Sequence, residues 1–183
     1  RGEVDPSDKL LSIHGFTAAD WWMLLNQCES IKPLGIELNV SCPNVGEISW
    51  PTELSSRALE TRLPVIVKVP PVRNEAMFDA ALEAGVRVFH CCNTLPVPKG
   101  GMSGKPLMPL SLKCIAELRR RDAGVTIIGG GGVTCADDVQ AYANAGADHV
   151  SVGTMVKHPK YLWTDDPLRP LIARAEQAFA GRS

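Results

Sequence analysis

The chain has 183 residues, 45 % hydrophobic and 21 % charged, with a formal net charge of -1. That length normally makes one domain with a substantial core, here taken as residues 1–183, and the composition is that of a globular protein rather than a disordered or fibrous one. The two signs of charge are spread along the chain and the apolar runs are short. The sequence therefore predicts no nucleic-acid partner, no basic membrane face and no membrane-spanning helix.

The chain opens at Arg1 with no charged-then-apolar leader. Its cysteines are Cys28, Cys42, Cys91, Cys92, Cys114 and Cys135. None is paired at Cys-x-x-Cys spacing, so no metal site is expected. A mid-sized chain without a secretory signal is expected to keep its thiols reduced, in the cytoplasm.

In chain order, short strand-like runs alternate with helix-like ones. LLSIH (10–14) precedes TAADWWMLLNQCES (17–30), where Thr17 takes the N-cap position. GIELNV (35–40) leads through SCPN (41–44) to a weaker helix, TELSSRALETRL (52–63). PVIVKV (64–69) is followed by NEAMFDAALEAG (74–85), which stops at Gly85. VRVFHC (86–91) is followed by PLSLKCIAELRRRDAG (109–124), which is read as ending before Gly124. VTIIGG (125–130) precedes TCADDVQAYANAGA (134–147), which is read as ending at Gly146. DHVSVG (148–153) precedes a final helix in DPLRPLIARAEQAFA (166–180). Strands alternating with helices at this pitch predict βα units and a parallel sheet. Six units fit either an open doubly wound sheet or most of a (β/α)8 barrel, and composition does not choose between them.

The polar residues gather at strand ends. His14 and Gly15, the cluster from Asn39 to Asn44, Lys68, Asn93 with Thr94, Gly129 to Gly132, and Gly153 with Thr154 each follow or close a strand. In both architectures ligands bind at the carboxyl ends of the strands. IIGGGGV (127–133) and SVGT (151–154) close the last two strands, where successive backbone N–H groups can cradle an anion. There is no G-x-G-x-x-G fingerprint with its acidic partner and no Walker A run. KGGMSGKPL (99–107) reads either as a flexible surface loop or as a ligand loop, with Gly104 against a planar group and Lys105 near a charged tail. Cys42 reads as an inert buried thiol or a reactive one, and Lys68 as a partner of Glu37 on the neighbouring strand. The four histidines share no pattern and read as structural or exposed. Trp21 and Trp22 read as packing residues.

Taken together and in order, IELNVSCPN, PVIVKVPP, CNT, GGMSGKPL, IIGGGGV and AGADHVSVGT resemble the dihydroorotate dehydrogenase family. The resemblance runs from about Leu10 to the final helix. It implies a (β/α)8 barrel that binds FMN and oxidises dihydroorotate to orotate in pyrimidine (UMP) biosynthesis. In the cysteine-type soluble members the cysteine of SCPN is the base, so Cys42 would take the substrate proton while hydride passes to FMN. The resemblance also implies Asn39, Asn44, Asn93 and Thr94 at the substrate, and Asn39, Lys68 and Thr94 at the flavin. Lys68 would stabilise negative charge on the reduced ring. Gly104, Gly131, Gly132, Gly153 and Thr154 would touch FMN, the last four mostly at its phosphate. The family barrel has two further strands ahead of the run at 10–14, so about six of eight βα units are expected here. A homodimer is the family's usual oligomer. Two alternatives are a related FMN barrel oxidoreductase, such as a dihydropyrimidine dehydrogenase-like or ene-reductase-like protein, and a non-catalytic barrel remnant.

Overall fold

A computed structural model describes residues 5–40, 51–98, 100–153, 155–157 and 167–181. Six strands form one parallel sheet. β1 (Leu10–Ile13) is followed by α1 (Ala18–Ile31), β2 (Gly35–Asn39) by α2 (Leu54–Glu60), and β3 (Val65–Val69) by α3 (Glu75–Ala84). After β4 (Val88–Cys91) the chain makes a small hairpin, β5 (Leu95–Val97) and β6 (Gly100–Met102), before α4 (Met108–Arg121). β7 (Thr126–Gly130), α5 (Ala136–Ala145), β8 (His149–Ser151) and α6 (Arg169–Ala178) complete the described elements.

The strand order is β1-β2-β3-β4-β7-β8, every neighbour pair parallel. A doubly wound sheet reverses its strand order at a switch point, and this order never reverses. Unreversed order is barrel winding, which resolves the choice that composition left open.

The local signals act as their chemistry requires. Thr17 accepts a hydrogen bond from the Asp20 backbone N–H at 3.2 Å, and Asp20 accepts one from the Thr17 N–H at 2.8 Å, a complete capping box on α1. Gly85 and Gly146 close α3 and α5 in the left-handed conformation. α4 ends at Arg121, in the Arg-rich turns before Gly124 as the sequence indicates, where extended Asp122 caps it. The run at 99–107, expected as a loop, contributes β6 to the hairpin, with Pro96 opposite Gly101.

Burial alternates along the strands. Ile36, Leu38, Val67, Val69, Phe89 and Ile127 face the helices and are buried, while Glu37, Asn39, Lys68 and His90 lie on the other face and are partly accessible. The apolar layer includes an edge-to-face pair between Phe78 of α3 and Phe89 of β4, with centroids 5.6 Å apart. Trp21 is fully buried, and a Cβ on Gly15 would lie 2.8 Å from its ring, so Gly15 is there for close approach. Arg119 of α4 binds the carbonyls of Val125 and Gly146 and the carboxylate of Asp148 at 2.6–3.0 Å, joining α4 to both ends of the β7–α5 unit. Among the described residues no helix is long and apolar enough to cross a membrane. The five described cysteines, Cys28, Cys91, Cys92, Cys114 and Cys135, are free thiols.

Candidate active site

At the carboxyl ends of β3, β4, β7 and β8 a cleft of about 700 Å³, part of it open to solvent, collects residues from separate loops. Lys68, Asn93, Thr94, Gly104, Gly131, Gly132 and Gly153 all line it. These are seven of the residues singled out in the sequence, and they come from five segments of the chain. Asn39 joins them through Asn93, whose Nδ2 donates to Asn39 Oδ1 at 2.7 Å. The Asn93 carbonyl oxygen of the side chain also accepts from the Thr94 N–H at 2.9 Å, and the Asn93 N–H donates to the Val69 carbonyl. Cys42, Asn44 and Thr154 lie outside the described residues.

Inside the sheet the polar residues form one network. Glu37 accepts from Ser12 Oγ at 2.7 Å, pairs with His90 Nδ1 at 2.6 Å and with Lys68 Nζ at 3.5 Å. The Lys68–Glu37 pair is the one the sequence suggested. The other His90 nitrogen, Nε2, meets Ser151 Oγ at 2.8 Å. Burial alone would raise the Glu37 pKa, but the His90 hydrogen bond and charge, with Lys68 and Ser12, bring it down to about 2. Glu37 is therefore a carboxylate, and it pairs with Lys68 beside the cleft.

His90 is the residue sequence reasoning missed. It read as structural or exposed, yet its side chain is 12 % exposed and lines the cleft, as does Ser151. A signal was available in the register. His90 pairs with Lys68 across β3 and β4, and Lys68 pairs with Asn39 across β2 and β3, so all three share a face.

The glycine loops are built for close approach. Gly132 has φ +78°, and a Cβ there would lie 2.7 Å from the Gly104 carbonyl oxygen, so the two glycine loops touch backbone to backbone. A Cβ on Gly130 would lie 2.3 Å from Ser151 Oγ and 3.0 Å from His90 Nε2, inside their hydrogen bond. Tyr142 of α5 donates to the carbonyls of Gly130 and Gly131 at 2.9 and 2.6 Å, and burial pushes its phenol pKa up, keeping it a donor. Lys105 does not reach into the cleft as expected. It pairs with Asp138 in the first turn of α5, tying the Gly104 loop to that helix. Asp138 also accepts from the Thr134 and Cys135 N–H groups. Burial opposes its charge, but Lys105 and these bonds lower its pKa to about 2.

A partly accessible lysine, a buried amide and three glycine loops around one cleft match a flat, anionic ligand in chemistry. A Cβ at Gly131 would press on the Leu107 and Ser111 side chains, one at Gly132 would press on the backbone of the Gly104 loop, and nothing would contact one at Gly153, so only glycine backbone lines this part of the cleft and a phosphate-bearing ring system such as FMN fits the residues present.

Strand order and the placing of this cleft define a protein of the (β/α)8-barrel class, with six parallel strands described. The chain belongs to the dihydroorotate dehydrogenase family, whose model matches residues 9–172. It is similar to the catalytic subunit of dihydroorotate dehydrogenase B (NAD(+)) from Archaeoglobus fulgidus, 31 % identical over 84 % of this chain and 60 % of that protein. The corresponding subunit from Oceanobacillus iheyensis is 38 % identical over 70 % of this chain and 50 % of its own length. The chain thus spans between half and three fifths of these relatives. Among solved structures, dihydroorotate dehydrogenase from Eimeria tenella in complex with ferulenol superposes with a TM-score of 0.74 at 19 % identity, covering 88 % of this chain and 54 % of that one. That likeness establishes the fold.

Proposed function

We propose that the chain carries the catalytic half of an FMN-dependent dihydroorotate dehydrogenase, oxidising dihydroorotate to orotate in de novo pyrimidine biosynthesis. The observation that carries this reading is the convergence of Lys68, Asn93, Thr94, Gly104, Gly131, Gly132 and Gly153 on one cleft in a chain of this family.

FMN, when bound, supplies the two-electron oxidant. Backbone N–H groups of the Gly131–Gly132 and Gly153 loops, with Thr154, would hold its phosphate. Lys68, paired with Glu37, would stabilise negative charge on the ring edge. Asn93, steadied by Asn39, would donate to and accept from the substrate's imide and carboxylate, with Asn44 and Thr94 beside it. Cys42 would remove the proton from the substrate carbon as a thiolate. The names of the Archaeoglobus and Oceanobacillus relatives support NAD(+) as the final acceptor, reached through a partner subunit.

The test is a visible spectrum of the full-length protein, repeated after anaerobic addition of dihydroorotate. A flavin spectrum that bleaches is expected. A flavin that stays oxidised with dihydroorotate but bleaches with another dihydropyrimidine moves the substrate, and a protein that takes up no FMN overturns the reading. Cys42→Ala is expected to keep bound FMN and lose its reduction by dihydroorotate.

A further inference from the structure

Behind the wall of the cleft, on the helix side of the sheet, three thiols meet. Cys91 closes β4, Cys92 follows it, and Cys114 comes from the middle of α4. Their sulfurs all lie within 4.8 Å of one another, and all three residues are buried, with 0 %, 5 % and 1 % exposure. The adjacent Cys91 and Cys92 give no metal spacing in sequence. The third sulfur arrives only because α4 packs across β4.

We propose that Cys91, Cys92 and Cys114 form a binding site for a soft monovalent cation, Cu(I), between α4 and the cleft. Sulfur ligands select soft ions, and the choice among these follows from ligand number. Structural zinc takes four ligands, and among the described residues no histidine or carboxylate joins the three sulfurs. Cu(I) is satisfied by two or three thiolates. A metal–sulfur distance of about 2.3 Å in a trigonal site puts the sulfurs about 4 Å apart, so closure needs a movement of less than about 1 Å.

The surroundings supply what such a site needs. Asn74, 2 % exposed, donates its Nδ2 to Cys114 Sγ at 3.1 Å and to the Pro70 carbonyl at 3.0 Å, which orients that sulfur. Ser111, one turn before Cys114, is fully buried with its hydroxyl beside Cys92. A hydroxyl there can donate to a charged sulfur. Access exists from two sides. Cys92 lines the cleft, and Cys114 lines a separate outer cavity with Asn74, Lys113 and Glu117. Each sulfur that ligates as thiolate releases one proton to solvent.

The site is independent of the flavin reading and is tested without flavin chemistry. The full-length protein is titrated anaerobically with Cu(I) against bicinchoninate, and the first shell is read by X-ray absorption. The expected result is one equivalent retained with sulfur-only ligation, and an affinity that falls more than about tenfold in Cys92→Ser and in Cys114→Ser. Cys135→Ser, an exposed thiol outside the cluster, is expected to change nothing. If Cys114→Ser does not fold, Cys92→Ser at the cleft wall decides alone. The proposal is overturned if bicinchoninate removes all the copper from the unaltered protein, or if Cys92→Ser holds it as tightly.

Discussion

His90 Nδ1 lies 2.6 Å from Glu37 Oε2, while Nε2 of the same ring meets Ser151 Oγ at 2.8 Å. One imidazole therefore joins β2, β4 and β8 across the concave face of the sheet. Its partner Glu37 is also the carboxylate that holds Lys68, so the charge presented to the cleft depends on a residue that need not touch the ligand.

The acid limb of stability follows from this. Glu37 has a folded pKa of about 2 against an ordinary 4.5. Its folded pKa is depressed, so its contribution is complete above pH 4.5 and disappears as pH falls through 2. Glu37→Gln is expected to flatten the stability profile between those limits, by an amount on the order of 3 kcal/mol at most. Urea midpoints measured across that range check it, and an unchanged slope in the variant would contradict the network.

His90→Phe keeps a ring of similar shape and removes both hydrogen bonds. Glu37 then relies on Lys68 and Ser12 alone, so its pKa is expected to rise and the acid loss to start at higher pH. A double-mutant cycle with Glu37→Gln should give a coupling of about 0.5–3 kcal/mol, as residues in direct contact do. A coupling of zero would mean that the two groups act separately.

Gly132→Ala tests the glycine contact. Its φ of +78° and the 2.7 Å approach of a Cβ to the Gly104 carbonyl oxygen require one of the two loops to move. FMN affinity is expected to fall by at least about tenfold, about 1.4 kcal/mol, with the far-ultraviolet circular dichroism unchanged. Fluorescence titration of FMN reads this directly, and full affinity in the variant would remove that loop from the ligand site.

Phe89→Ala addresses the core. The ring is fully buried on the helix side of β4 and stacks edge-on with Phe78. Its removal is expected to cost about 3–5 kcal/mol. Because Asn93 follows four residues later on the same strand end, flavin uptake should fall along with the unfolding midpoint. A loss below about 1 kcal/mol would mean that β4 is not anchored through this contact.

Much of the site could be read from residue order alone. The runs PVIVKV (64–69), VRVFHC (86–91) and VTIIGG (125–130) are short and strand-like and give way to polar or glycine positions, and such composition is local information. The same holds for Thr17 with Asp20 and for Gly85 and Gly146, whose capping roles depend on neighbours within four residues. His90 was passed over because a lone histidine carries no periodic signal of its own. The run at 99–107 reads either as a surface loop or as a ligand loop with Lys105 near a charged tail, whereas a carboxylate at Asp138, in the first turn of α5, draws Lys105 to itself.

What residue order specified was therefore the units: which runs extend, which coil, where each stops and which polar groups stand at the stops. Their period, caps and breakers act over a few residues, and those forces need no distant partner. What the tertiary structure decided was the order in which strands lie side by side and the contacts this creates. His90 meets Glu37 and Ser151 across 53 and 61 positions of chain, and Cys114 reaches the Cys91–Cys92 pair only through the packing of α4 on the sheet. Such meetings arise when buried apolar faces choose their neighbours, and no local pattern carries that choice.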